Sequence, residues 1–158
     1  MSRSMREGGA EVQPLHRFSR RETHAIASVV VPLIRVGETK NKGRGVFATA
    51  DIAEGALIEE CPIIVVPLAE VETINATVLR DYHFMWGGTG EESAICLGYG
   101  SLYNHSHTPS AMYVRRLDAR IIAFHAVRDI REGEEITVSY NGGFGDRSPV
   151  WFEMADES

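Results

Sequence analysis

The sequence has few cysteines, no long hydrophobic run and no excess of basic residues. The two cysteines, Cys61 and Cys96, lack a Cys-x-x-Cys spacing, so the sequence provides no disulfide framework and argues against a structural zinc site. The longest apolar runs, residues 29–31 and 63–66, have the length of strands, whereas a membrane-spanning helix needs about 20 residues. Sixteen basic residues against 22 acidic ones give a formal charge of −6. We therefore expect buried free thiols, no membrane span and no direct contact with nucleic acid.

The start of the chain lacks the basic patch, apolar core and cleavage site of a secretory signal, which favours a soluble, intracellular protein. A length of 158 residues with 44% hydrophobic residues is enough for one domain with one core. We predict a flexible N-terminal arm over residues 1–27, a domain over residues 28–142 and a short C-terminal segment over residues 143–158.

Short apolar runs, cut by Gly, Pro, Asp and Asn, predict a mainly β domain with few short helices. The predicted strands are residues 29–36, 45–49, 57–61, 63–67, 82–86, 94–97, 111–117, 120–126 and 135–140. A weak helical pattern covers residues 68–79, and the Asp-Ala pair at residues 118–119 predicts a hairpin tip.

One five-residue pattern occurs twice: Asp-Ile-Ala-Glu-Gly at residues 51–55 and Asp-Ile-Arg-Glu-Gly at residues 129–133. In such a corner the Asp bonds the backbone, the Ile faces the core and the Gly supplies a positive φ. The repeat predicts two copies of one turn and carries no chemistry of its own.

Three further segments carry the functional information. They are Lys-Gly-Arg-Gly-Val-Phe-Ala at residues 42–48, Asn-His-Ser at residues 104–106, and Gly-Glu-Glu-Ile-Thr-Val-Ser-Tyr at residues 133–140. Their order and spacing resemble the signature motifs of SET-domain protein-lysine methyltransferases. The resemblance spans roughly residues 32–140 and is closest to the compact viral and bacterial SET proteins. It implies a β-clip type fold of small curved sheets, in which the C-terminal segment threads through a loop as a pseudoknot.

The resemblance also implies an activity, a cofactor and partners. The activity is methyl transfer from S-adenosyl-L-methionine to the ε-amine of a lysine in a basic protein or peptide, histone-like or other, without a metal. An acidic chain suits such a substrate. Compact relatives pair into homodimers, so a homodimer is implied as well. The protein is then expected in the cytoplasm or, if its substrate is a histone, in the nucleus or the nucleus of a host.

Site residues follow from the same resemblance, position by position. The implied catalytic residues are Tyr140, Tyr82 and Tyr113. The implied cofactor-binding residues are Lys42, Gly43, Arg44, Gly45, Asn104, His105, Tyr140 and Trp151. Glu134 or Glu135 is expected to be structural and to tie down the threaded loop. Ser110 stands where the family often has Asn, so a side chain that commonly pins this turn is expected to be absent.

Two other functions stay open on the residues alone. One is a catalytically silent module that keeps the fold and binds lysine-bearing partners. The retention of Asn104, His105 and Tyr140 argues against it. The other is a metal-dependent β-rich enzyme that uses His105, His107 and His125, since two histidines two residues apart would share one face of a strand.

Overall fold

The computed structural model describes residues 32–141 and Ser148. All of them lie in the second of the two units into which the chain divides, Val31–Ser158. The predicted N-terminal arm, the start of the first predicted strand and most of the predicted C-terminal segment lie outside the described residues. Within residues 32–141, no helix is long and apolar enough to cross a bilayer.

The first sheet has four strands from distant parts of the chain. Its strands are β1 (Ile34–Glu38), β2 (Arg44–Ala48), β6 (Asn104–His105) and β9 (Glu135–Val138). Their order across the sheet is β1-β2-β9-β6. The pairs β1-β2 and β2-β9 are antiparallel, whereas β6 lies parallel to β9. The last strand therefore joins the first hairpin to a two-residue strand from the middle of the chain.

The second sheet has five antiparallel strands. They are β3 (Leu57–Val66), β4 (His83–Trp86), β5 (Glu92–Cys96), β7 (Ala111–Arg116) and β8 (Ile121–Ala126). Their order is β4-β5-β3-β8-β7, and β7 and β8 form a hairpin whose turn contains Asp118 and Ala119, as predicted. The two strands predicted at residues 57–61 and 63–67 are one continuous strand, β3, which contains Pro62.

The predicted helix over residues 68–79 is in fact two shorter elements. The α-helix α1 covers Leu68–Asn75, and a 3₁₀ turn follows over Val78–Asp81. Thr77 separates them, since its backbone is extended (φ −124°, ψ 177°) and its side chain accepts a hydrogen bond from the Leu79 N–H. A Thr hydroxyl that bonds the local backbone favours a helix start over a helix interior, which explains the break.

One hydrophobic core joins the two sheets. Val46, Ile136 and Val138 come from the first sheet, and Ile122 and Phe124 come from the second; all five are fully buried. Both cysteines are also buried and free, which confirms the prediction from composition.

The two repeated corners pair with each other. Ile52 and Ile130 form an antiparallel bridge in which each N–H donates to the other's carbonyl at 2.8 Å. Both isoleucines are buried, and the closing glycines, Gly55 and Gly133, have φ of 79° and 81°.

The corner aspartates bond across this pair rather than within their own turn. Asp51 Oδ1 accepts from the Glu132 N–H, and Asp129 Oδ1 accepts from the Glu54 N–H, each at 2.9 Å. The internal repeat thus forms one locally symmetric clasp, which holds the chain before β3 against the chain before β9.

Candidate active site

The parallel pairing of β6 with β9 brings the Asn-His-Ser turn against the last motif. Asn104 lies opposite Thr137 and His105 lies opposite Val138. The Ser106 N–H donates to the Val138 carbonyl at 3.0 Å. Two segments about thirty residues apart therefore form one surface.

Tyr140 follows β9 and is held from both ends. Its backbone N–H donates to Nδ1 of the buried His105 at 3.0 Å, and its hydroxyl donates to the Tyr103 carbonyl at 2.9 Å. Burial raises the pKa of the Tyr140 phenol to about 12, and the negative charges of Asp81 and Glu135 act in the same direction. The hydroxyl is therefore a protonated donor throughout the neutral pH range.

Tyr140 lines a first cavity of about 450 Å³. Its lining residues are Lys42, Gly43, Arg44, Arg80, Asp81, Tyr82, Ser101, Leu102, Asn104 and Tyr140. Within it, Asn104 Nδ2 donates to Glu135 Oε1 at 2.7 Å and to the Arg44 carbonyl at 3.1 Å. Lys42 Nζ approaches the His105 carbonyl at 3.4 Å. One wall of the cavity therefore consists of backbone groups and the Asn104 amide, and the Lys42 side chain lies beside it.

Gly45 permits this close packing at the edge of the first cavity. A Cβ at residue 45 would lie 2.5 Å from Glu135 Oε1 and 2.9 Å from Asn104 Nδ2. Both separations are shorter than van der Waals contact, so a side chain here would push apart the Asn104–Glu135 pair.

Tyr140 also lines a second, larger cavity of about 1220 Å³. Five residues line both cavities: Arg80, Asp81, Tyr82, Ser101 and Tyr140. Tyr113 lines only the second cavity, together with residues that include Phe84, Tyr103 and Asn75. The two cavities therefore meet at Tyr82 and Tyr140.

The rings of Phe84 and Tyr113 pack edge to face at the second cavity. The Tyr113 ring lies 5.0 Å from Phe84 and 6.2 Å from Phe124. Burial raises the pKa of the Tyr113 phenol, whereas Tyr82 is 38% exposed. The charged residues among the described lining are Arg80, Arg115 and Asp81, together with the titratable His83. The acidity of the whole chain, which suits a basic substrate, is not concentrated among these residues.

The structure brings together most of the residues that the sequence singles out. Lys42, Gly43, Arg44, Asn104, Tyr82 and Tyr140 line the first cavity, Gly45 and His105 contact these residues, and Tyr113 lines the second cavity. Trp151 lies outside the described residues, as do the neighbouring aromatics Phe144 and Phe152.

Several lining residues were missed by sequence reasoning: Arg80, Asp81, Ser101 and Leu102. Asp81 directly precedes Tyr82, so its position in the chain was a usable signal. Tyr103 was missed as well, because its carbonyl rather than its side chain receives the Tyr140 hydroxyl.

Two structural expectations have different outcomes. Glu135 has a structural contact, since its Oε1 accepts from Asn104 Nδ2 on β6, while the threading of the loop stays a prediction. The expected loss of a pin at Ser110 is wrong. Ser110 is fully buried, its Oγ accepts from the Thr137 N–H at 3.1 Å, and its own N–H donates to Thr137 Oγ1 at 3.4 Å. A serine and a threonine thus hold the turn against β9 reciprocally.

The three histidines of the metal hypothesis do not gather at one point. His105 and His107 contact each other edge to face at 4.8 Å, and His105 Nδ1 already accepts from the Tyr140 N–H. Within the described part of the chain, no three His, Cys, Asp or Glu side chains group as ligands for a metal ion.

Comparison with known proteins identifies the family of the chain. The SET domain family matches residues 43–141. A histone-lysine N-methyltransferase of Schizosaccharomyces pombe, specific for H3 lysine-37, is 32% identical over 128 residues, which are 78% of this chain and 82% of that protein. A crystal structure of a Plasmodium falciparum protein, provisionally described as a histone methyltransferase, superimposes with a TM-score of 0.53. It is 28% identical and covers 70% of this chain and 95% of its own.

Neither organism is a virus or a bacterium, so the expected closeness to compact viral and bacterial SET proteins stays a prediction. The family match extends from the glycine-containing segment to the residue after Tyr140. It therefore covers the second and third motifs, the first motif from Gly43 onward, and the lining of both cavities except Lys42 and Ser148. The chain belongs to the SET domain family, and it is a protein-lysine N-methyltransferase.

Proposed function

We propose that this methyltransferase transfers the methyl group of S-adenosyl-L-methionine to a lysine of a basic protein, with a histone as the leading candidate. The cofactor would bind in the first cavity, and the lysine would enter through the second. One observation carries the proposal: Tyr140 lines both cavities, and its hydroxyl is fixed by the Tyr103 carbonyl where they meet.

The first cavity fits the cofactor in size and chemistry. Its volume of about 450 Å³ lies in the range of roughly 300–1,000 Å³ usual for small-molecule sites. Lys42 would attract the cofactor's carboxylate, and the Asn104 amide with the adjoining backbone would hold its polar groups. When bound, S-adenosyl-L-methionine supplies a methyl group activated by a positively charged sulfur. The tight packing around Gly45 keeps Asn104 in one orientation.

The aromatic second cavity suits the amine that must be methylated. A free lysine has a pKa of ~10.4, so its neutral form costs roughly 4–5 kcal/mol at neutral pH, at about 1.36 kcal/mol per pKa unit. Desolvation between Tyr82, Tyr113 and Tyr140 would lower that cost by disfavouring the ammonium. The fixed Tyr140 hydroxyl, which is neutral at this pH, would orient the amine and align it for transfer.

Finer features of the family extend this proposal. The parallel pairing of β6 with β9 supports a threaded C-terminal pseudoknot. A basic tail is supported as substrate by the Schizosaccharomyces pombe relative, whose specificity is for H3 lysine-37. With such a substrate the protein would act in the nucleus, and a homodimer remains part of the proposal.

The cofactor is tested by isothermal calorimetry with S-adenosyl-L-methionine. We expect saturable binding at one site, and we expect Asn104→Ala to weaken it on the order of a hundredfold, because a polar group of the bound cofactor would lose its hydrogen-bond partner. Asn75→Ala is the matched control, since Asn75 lines only the second cavity and should leave the affinity unchanged. Equal affinity in all three proteins would place the cofactor elsewhere.

The substrate is tested by incubating the protein and the cofactor with core histones, followed by mass spectrometry. We expect a mass increase of 14 Da for each methyl group added to a histone lysine. Each molecule of the protein should complete on the order of one or more turnovers. Labelling confined to non-histone proteins would reject the histone and keep the activity. Absence of labelling on any basic protein, by a sample that binds the cofactor, would reject the proposed substrate class.

A further inference from the structure

The Glu59 carboxylate holds the loop that precedes the Asn-His-Ser turn. Glu59 Oε1 accepts from the Tyr99 N–H at 2.9 Å, and Oε2 accepts from the Tyr103 hydroxyl at 3.2 Å. The carboxylate therefore bonds both ends of the segment from residue 99 to residue 103, which lies between β5 and β6. Hydrogen bonds to a charged acceptor are stronger than those between neutral groups.

The local backbone is built to admit this carboxylate. The register of β3 against β8 shifts between Leu57 and Glu59, and such irregularities turn a side chain toward a new direction. The contacting loop also leaves room for the carboxylate. A Cβ at residue 98 would lie 2.6 Å from Glu59 Oε1, and Gly98 has a φ of 118°. Only glycine therefore fits comfortably beneath the carboxylate.

Tyr103 connects the Glu59 carboxylate to Tyr140. Its ring is buried and stacks on Phe124 at 4.5 Å, and burial with the Glu59 charge raises the pKa of its phenol, so the hydroxyl stays a donor. Its carbonyl accepts from the Tyr140 hydroxyl at 2.9 Å. Hydrogen bonds thus run from Glu59 to the Tyr103 side chain, and from the Tyr103 backbone to Tyr140.

We propose that Glu59 is a positioning residue for methyl transfer, which fixes the Tyr140 hydroxyl by way of Tyr103. This inference rests on the proposed function. Asn104, the next residue along the chain, is held separately by Glu135 and by its pairing with Thr137. Loss of the Glu59 anchor should therefore disturb Tyr140 while leaving in place the part of the cofactor cavity that residues 42–44 and Asn104 form.

The test compares steady-state methylation and cofactor affinity in a set of full-length variants. Glu59→Gln keeps the size of the side chain but replaces an acceptor oxygen by an NH₂ group, and Tyr103→Phe keeps the stacked ring. We expect each to lower kcat on the order of tenfold by misplacing the hydroxyl, with the S-adenosyl-L-methionine Kd changed by less than about twofold. Glu60→Gln is the matched control, because Glu60 is exposed and pairs with Arg116 instead; it should keep the wild-type kcat.

A double-mutant cycle separates positioning from general stability. In a Tyr140→Phe background, which lacks the hydroxyl, Glu59→Gln should lower the residual rate by less than about twofold. A Glu59→Gln protein with wild-type kcat would overturn the inference alone, and so would an equal loss in both backgrounds. A wild-type protein that methylates nothing would instead reject the proposed function and the inference with it.

Discussion

The Tyr140 hydroxyl lies where the two cavities meet, and this position determines what its removal should do. Tyr140→Phe keeps the ring near His105 and keeps the backbone N–H bond to His105 Nδ1, so the local fold should persist. The substitution removes only the hydroxyl that the Tyr103 carbonyl holds. We expect kcat to fall about a hundredfold, as is usual when a group that orients or stabilises the reacting atoms is lost, with little change in cofactor affinity.

The measurement is single-turnover methylation of a histone substrate, with Tyr99→Phe as the control. Tyr99 is also partly exposed and near the site, but only its backbone N–H bonds Glu59, so its hydroxyl should be dispensable. A Tyr140→Phe protein as active as Tyr99→Phe would show that the hydroxyl takes no part in transfer.

Single residues were predictable from sequence where a side chain carries the role. Tyr140 and Asn104 were identified because the family fixes their residue types. Tyr103 and Glu59 were not, since a backbone carbonyl can come from any residue and the sequence does not show which loop the Glu59 carboxylate contacts. Their roles depend on a carboxylate and a loop that lie forty residues apart in sequence but in contact in space.

At the scale of elements, the paired corners act as one clasp rather than as two independent turns. Asp51→Ala and Asp129→Ala should each lower the free energy of unfolding by about 1–2 kcal/mol, because each removes the acceptor of one backbone N–H in the partner corner. Urea denaturation measures the change, and Asp118→Ala at the exposed hairpin tip is the control.

The double variant tests whether the corners are coupled. Once one bond is lost the clasp should loosen, so Asp51→Ala together with Asp129→Ala should cost less than the sum of the single effects. Strict additivity would mean that the two corners are stabilised independently.

Element boundaries were predictable where strands are long and alternate in burial. The β7–β8 hairpin and its tip followed from turn residues between two apolar runs. The strand β6 was not predicted, since two residues carry no periodicity and its pairing depends on β9 thirty residues later. Helix α1 ends early because Thr77 bonds the local backbone, a competition that a hydrophobic pattern does not record.

At the scale of the whole molecule, the buried phenols should make the free energy of unfolding depend on pH in the alkaline range. Burial raises the pKa of Tyr103, Tyr113 and Tyr140 above the ordinary value of 10.0, to about 12 for Tyr140. Above pH 10 the unfolded chain releases phenolic protons that the folded chain retains. The folded state then binds more protons, so the free energy of unfolding should fall as pH rises from 10 through 12.

Urea denaturation below and above pH 10 measures this dependence. Tyr113→Phe removes one buried phenol, so its stability should fall less steeply over the same range than that of the wild type, and all other titrating groups cancel in the comparison. Identical slopes would show that Tyr113 has the same affinity for its proton in both states.

The parallel pairing of β6 with β9 also governs when the site can form during synthesis. Val46 in β2 pairs with Ile136, ninety residues later, and Asn104 pairs with Thr137. Contacts this distant in sequence close large loops and form late in folding. A nascent chain that has not yet extended past β9 therefore lacks both Tyr140 and the strand that orients Asn104. Cofactor recognition and catalysis become possible in the same folding step, so a chain truncated before β9 should neither bind nor react.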